Sequence, residues 1–149
     1  MRYIDDPDCG PSYRDLRLVE DLNQALNGEY SAIECYQQLA NLASCAEERR
    51  RILEIRQDEI NHFQTFSRIY TTLTGQQPCP QMTEECPEKY CDALEAAFND
   101  EQQTVDFYLD IADRAVEPNI KARFQRAAAD EQNHAVWFSH FYSKNCLED

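Results

Sequence analysis

Glycine and proline are scarce in this chain, with three and six among 149 residues. A turn-rich all-β architecture needs more of both, and a low-complexity chain more still, so both classes are set aside. No apolar run approaches the roughly 20 residues that cross a bilayer, and Met1 to Asp6 lack the hydrophobic core of a signal peptide. The expectation is a soluble, cytoplasmic protein. Positive charge is also short: 14 Lys and Arg stand against 28 Asp and Glu, for a net charge of -14. Such a surface repels phosphates, so neither nucleic acid nor a membrane is an expected partner, while carboxylates remain available for hard or borderline cations.

Cysteine is not scarce. Seven are present, Cys9, Cys35, Cys45, Cys79, Cys86, Cys91 and Cys146. The odd number and the missing export signal make reduced thiols the default expectation. Cys79, Cys86 and Cys91 follow one another at spacings of seven and five, unlike a zinc ribbon or a ferredoxin run, so packing or thiol redox sensing is expected of them. The length suits one domain, 1–149, with a continuous core.

An internal repeat organises that domain. Glu29 matches Glu101, Tyr36 matches Tyr108, Glu59 matches Glu131 and His62 matches His134, each pair 72 positions apart. Leu22 and Leu94, Ala25 and Ala97, Asp58 and Asp130, and Phe66 and Phe138 share the offset without a gap. Within each half, buried-type residues recur at alternating steps of three and four, the period of a helical stripe. Leu22, Ala25, Glu29, Ala32, Tyr36, Leu39 and Ala43 mark a first helix, and Ile52, Ile55, Glu59, His62, Phe66, Ile69 and Leu73 a second that Gly75 ends. Leu94, Ala97, Glu101, Thr104, Tyr108, Ile111 and Ala115 mark a third, and Phe124, Ala127, Glu131, His134, Phe138 and Phe141 a fourth, with Pro118 in its first turn.

The predicted helices cover about 13–44, 47–74, 88–116 and 118–144. Short connections fold them into two antiparallel hairpins. Glu29 and Glu59 lie symmetrically about residue 44, and Glu101 and Glu131 about residue 116, so the glutamates of each hairpin share one level. Residues 75–87, with Pro78, Pro80 and Pro87, form a crossover long enough to run the length of a bundle at roughly 3.3 Å per residue. The expected fold is an all-α four-helix bundle of the one-crossover kind.

Glu59 with His62, and Glu131 with His134, form two Glu-x-x-His pairs whose spacing puts carboxylate and imidazole on one helical face. One such pair alone is ordinarily a solvated surface. Two in register, joined in the core stripe by Glu29 and Glu101, are different: unpaired buried carboxylates cost several kcal/mol each, against a total stability of about 5 to 15 kcal/mol. Two divalent cations would cancel the four negative charges, with one imidazole nitrogen for each. The candidate metal ligands are therefore Glu29, Glu59, His62, Glu101, Glu131 and His134. Tyr36 and Tyr108 point inward two turns beyond Glu29 and Glu101 and are candidates to hydrogen-bond a ligand carboxylate or donate electrons.

This set, over roughly Leu18 to Tyr142, resembles the rubrerythrin and bacterioferritin families of ferritin-like di-iron and di-manganese carboxylate proteins. The resemblance implies Glu59 and Glu131 as bridging ligands, with Glu29 and His62 on one metal and Glu101 and His134 on the other. It implies Asp58 and Asp130 as partners that hold the ligand histidines across the bundle, and Trp137 is similar to a bacterioferritin redox aromatic. The departures are specific. The paired Cys-x-x-Cys motifs of a rubredoxin-like centre are absent, which leaves an external electron donor. Thr104 stands where typical rubrerythrins have a further glutamate. Ile60 and Gln132 stand where bacterioferritin has its haem-binding methionine, so no haem is expected. The implied function is a di-iron oxidoreductase reacting with hydrogen peroxide or dioxygen, a rubrerythrin-like peroxidase or ferroxidase with two irons per chain, in a homodimer. Iron storage of the ferritin type and a manganese catalase-like activity are the alternatives.

Overall fold

The computed structural model describes residues 13–147, so Cys9 lies outside the described residues. Four helices account for nearly all of it: α1 (Tyr13–Leu42), α2 (Ala46–Thr74), α3 (Tyr90–Arg114) and α4 (Pro118–Asn145). No strand occurs among the described residues.

The helix ends follow local chemistry. Gly75 adopts a left-handed φ of 73° and its N–H closes on Thr71 O, stopping α2 where the glycine predicted it. Glu117 caps α4, its carboxylate accepting from the Asn119 and Ile120 amides at 2.9 and 3.1 Å, with Pro118 at the first position. The proline also restricts the residue before it to extended backbone (φ -79°, ψ 121°), so α3 cannot run into α4 and ends at Arg114, short of the predicted boundary. Ala115 therefore lies just past the helix in extended geometry, and Leu73, near the end of α2, is exposed rather than core. At its start α3 waits until Tyr90, because Lys89 is still extended (φ -105°, ψ 141°).

Contacts across the bundle fix the directions of the helices. Tyr90, opening α3, donates to Glu48 near the start of α2, and Asn145, closing α4, donates to the same carboxylate. Arg114, ending α3, pairs at 2.9 Å with Asp21 near the start of α1. Thus α1 runs against α2 and α3, and α4 against α2 and α3. The crossover runs along α1 on its way between hairpins, a path its length allows: Gln81 N–H reaches Asn27, Thr83 N–H reaches Ser31, and Cys86 reaches Cys35.

That last contact corrects the expectation of reduced thiols. Cys35 and Cys86 form a disulfide, as do Cys91 and Cys146, while Cys45 and Cys79 remain free. An odd number of cysteines does not prevent four of them from pairing: the crossover brings Cys86 to Cys35, 51 positions away, and the second hairpin brings the start of α3 to the end of α4, 55 positions apart, and no local spacing reveals either.

The core divides into two apolar blocks. One gathers Leu39, Ile52, Leu94 and Phe138 toward the α1–α2 turn. The other gathers Leu22, Phe66, Ile111 and Phe124 at the opposite end, with Phe66 and Phe124 stacked at 4.5 Å between ring centres. Positions 72 apart share burial, as with Leu22 and Leu94 or Phe66 and Phe138. Between the blocks lies a polar layer.

Candidate metal centre

Each helix contributes to that layer from its inward stripe. Glu29 comes from α1, Glu59 and His62 from α2, Glu101 from α3, and Glu131 and His134 from α4. All six are buried, with Glu59 and His134 only 1% exposed. The ligand atoms fall into two groups, each within a sphere of contact of 4.8 Å: Glu29, Glu59, His62 and Glu131 in one, Glu59, Glu101, Glu131 and His134 in the other. The groups share Glu59 and Glu131.

Both histidines turn the same nitrogen toward the carboxylates. His62 Nδ1 lies 3.2 Å from Glu29, 3.1 Å from Glu59 and 3.3 Å from Glu131. His134 Nδ1 lies 2.9 Å from Glu101 and 3.4 Å from Glu131. The outward nitrogens are held reciprocally across the bundle, His62 Nε2 to Asp130 and His134 Nε2 to Asp58, both at 2.9 Å. A proton fixed on Nε2 by an aspartate leaves Nδ1 as the nitrogen directed at the cluster. Asp58 adjoins Glu59 in the chain, and its partner in space, His134, is on α4.

Burial drives the carboxyls apart in character. Burial first, then the charge of Glu131, raises Glu29 and Glu101; Glu59 is raised well above the usual range by burial and by Glu101, Glu131 and Glu29. Burial would also raise Glu131, but hydrogen bonds from His134 and His62 outweigh it and hold it below the ordinary carboxylate value. Burial would lower the histidines, yet bonds to Asp130 and Glu131 raise His62, and bonds to Asp58 and Glu101 raise His134. Four acids in one buried layer cannot all ionise against each other. The two imidazoles, raised toward their charged form, offset part of that charge.

That compensation is incomplete. Glu29 Oε1 is buried without a hydrogen-bond partner, and Glu59 Oε1 and Glu131 Oε1 meet the imidazole nitrogens at 3.1 to 3.4 Å without an aligned hydrogen bond. Buried acceptors are almost always satisfied, and these three belong to the residues whose donor set suits a pair of divalent cations. The residues present fit such ions, with oxygen and imidazole nitrogen in the ratio that iron or manganese accepts.

The two tyrosines, equivalent in sequence, are not equivalent in space. Tyr108 Oη donates to Glu29 at 2.6 Å. No corresponding bond joins Tyr36 to Glu101 among the described residues; Tyr36 packs edge-on to Phe138 at 5.1 Å, buried, with its phenol raised by burial and by Glu101 and Glu59. Trp137 packs beside the apolar block near the α1–α2 turn, with the Arg51 guanidinium 4.2 Å above its ring. Thr104 donates to the carbonyl of Asp100 at 2.7 Å.

A cavity of about 540 Å³ opens between α1 and α3 and reaches Glu29, Glu59, Glu101 and Glu131. Thr83 and Glu84 of the crossover and Asp100 of α3 line it too. Burial, followed by the neighbouring Asp100 carboxyl, pushes Glu84 up to about 7. Sequence reasoning missed both acids. Asp100 sits directly before Glu101 and could have been noticed, whereas Glu84 lies in a linker with no periodicity to mark it.

The fold and layer are those of a ferritin-like bundle with a buried cluster of carboxylates and imidazoles suited to metal. The Rubrerythrin family profile matches residues 92–148, which hold the second hairpin. Ferritin-like di-iron carboxylate proteins from Bacillus anthracis str. Ames share the fold with a TM-score of 0.79 at 25% identity, over 89% of this chain and 99% of that one. The bacterioferritin of Desulfovibrio desulfuricans, with a di-iron site seen in different catalytic states, gives 0.73 at 22% identity, over 89% of this chain and 83% of that one. The chain belongs to the ferritin-like superfamily, and its second hairpin is similar to the Rubrerythrin family. It is 49% identical over 141 residues, 95% of its length and 97% of the relative's, to the uncharacterized protein YhjR of Bacillus subtilis (strain 168). No helix among the described residues is long and apolar enough to cross a membrane.

Proposed function

We propose that this chain is a di-iron carboxylate oxidoreductase that reduces hydrogen peroxide or dioxygen. The observation that carries the reading is the pair of four-residue ligand groups sharing Glu59 and Glu131. In this reading those two glutamates bridge, Glu29 and His62 complete one position, and Glu101 and His134 complete the other. Two irons, when bound, supply two reducing equivalents to the oxidant.

The protein residues do the rest. Asp130 and Asp58 keep the Nε2 protons in place so that each imidazole offers Nδ1. Tyr108 holds Glu29 Oε2 by its 2.6 Å hydrogen bond, fixing the direction of that carboxylate. The apolar blocks close the layer along the bundle axis, and the cavity between α1 and α3 leaves a side path to it for a molecule as small as peroxide. With no rubredoxin-like motif in the sequence, electrons come from an external donor. A cytoplasmic homodimer completes the reading, supported by the family resemblance.

Anaerobic titration with iron(II) is expected to saturate at two irons per chain, and subsequent peroxide or dioxygen pulses to oxidise both. Binding of fewer than two would reject the site. A large hollow oligomer by light scattering would point to storage instead, and manganese in protein purified from its native host, with oxygen evolution from peroxide, to a catalase.

A further inference from the structure

The crossover is attached to α1 by a regular ladder. Asn27, Ser31 and Cys35 are spaced by four, so they line one face of the helix, and they engage Gln81 N–H at 2.9 Å, Thr83 N–H at 2.9 Å and Cys86 through a disulfide. Glu84, between the last two rungs, lines the cavity together with Asp100 of α3. Residues 81–86 thus form a strap along α1 at the edge of the cavity, with Thr83 and Glu84 in its wall and Glu29, Glu59 and Glu131 among the residues it reaches.

Only one rung is covalent. The Asn27 rung is a single exposed hydrogen bond and the Ser31 rung a pair, Thr83 N–H to Ser31 and hydroxyl to hydroxyl at 3.1 Å, with the crossover side of both exposed and of the kind that opens locally without global unfolding. Neither Cys35 nor Cys86 belongs to the polar layer. The second disulfide, Cys91–Cys146, ties the start of α3 to the end of α4, and neither of its cysteines lines the cavity.

We propose that the strap is a redox-controlled gate: the Cys35–Cys86 disulfide holds Glu84 in the wall of the route to the carboxylate layer, and its reduction releases the strap and opens that route. The reductant is an external dithiol. Its two thiols become a disulfide as the Cys35–Cys86 bond breaks, and each of these cysteines takes up one electron and one proton. Access to the layer is then fast in a reducing environment and slow in an oxidising one.

The proposal rests on the layer being a metal site, and the test separates the two. Cobalt(II) uptake by the metal-free protein is followed by stopped-flow absorbance for the oxidised wild type, Cys86→Ser and Cys146→Ser. Cys86→Ser is expected to take up cobalt faster by about tenfold, equal to about 1.4 kcal/mol and within what one disulfide constrains, with the final cobalt content unchanged. Cys146→Ser is expected to keep the wild-type rate. Equal rates in the wild type and Cys86→Ser overturn the gate, and equal acceleration in Cys146→Ser does so too, because it reports general loosening. If no form takes up cobalt, the metal reading fails instead. The gate is then judged by hydrogen exchange at the Gln81 and Thr83 amides of metal-free protein, where unchanged protection in Cys86→Ser overturns it and faster exchange confined to the strap supports it.

Discussion

Replacing Asp130 with alanine removes the 2.9 Å hydrogen bond to His62 Nε2 and leaves every proposed ligand in place. Loss of such a partner typically weakens metal binding 10- to 100-fold, or about 1.4 to 2.8 kcal/mol. The two aspartates differ in how readily water replaces them: the Asp130 side chain is 20% exposed and that of Asp58 47%. Asp130→Ala therefore falls near the upper end of that range and Asp58→Ala near the lower. The effect is also local, because His62 groups with Glu29 while His134 groups with Glu101. Calorimetric titration of anaerobic Asp130→Ala protein with cobalt(II) is expected to give two separated steps, one close to wild type and one weakened. Equal weakening of both steps, or a larger effect from Asp58→Ala, would refute the cross-bundle assignment.

The two central glutamates, interchangeable in sequence, are expected to behave oppositely without metal. Glu59→Gln relieves a carboxyl that its neighbours and burial raise, and should stabilise the metal-free chain by roughly 1 kcal/mol. Glu131→Gln removes the charge that faces both imidazoles, and should destabilise it by about 3 kcal/mol. Urea unfolding in chelator measures both, and effects of the same sign would count against the charge distribution described here. The pH dependence follows from the same groups. Glu29, Glu59 and Glu101 are raised above 4.5 and His62 and His134 above 6.5, so the folded chain holds more protons than the unfolded one and loses stability as pH rises from 5 to 8. The lowered carboxyls Glu131, Asp130 and Glu48 contribute fully above about 4.5 and lose their contribution as pH falls below it. Urea midpoints in chelator should therefore be highest near pH 5, and a flat or rising profile up to pH 8 would be incompatible with it.

The helices and the polar layer were legible because both are written in local periodicity. Glu29, Glu59, His62, Glu101, Glu131 and His134 occupy positions where a core residue belongs, and the 72-residue repeat places them twice. What the sequence could not show depends on how the crossover lies. The partnership of Cys35 with Cys86, the nearness of Glu84 to Asp100, and the burial of Glu48 under Tyr90 and Asn145 all join segments far apart in the chain. The unequal tyrosines teach the same lesson, since a perfect repeat in sequence gave a hydrogen bond to Tyr108 and none from Tyr36 to Glu101 among the described residues.

Each helical pair holds a complete recipe that it cannot use alone. Its aspartate steadies the imidazole of the other pair, and its central glutamate belongs to the other pair's group as much as to its own. A polypeptide of half this length, meeting a second copy of itself about a twofold axis, would regenerate the whole arrangement. This chain is in effect that dimer made permanent by one tether, so neither half can depart from its inherited pattern without disarming its twin.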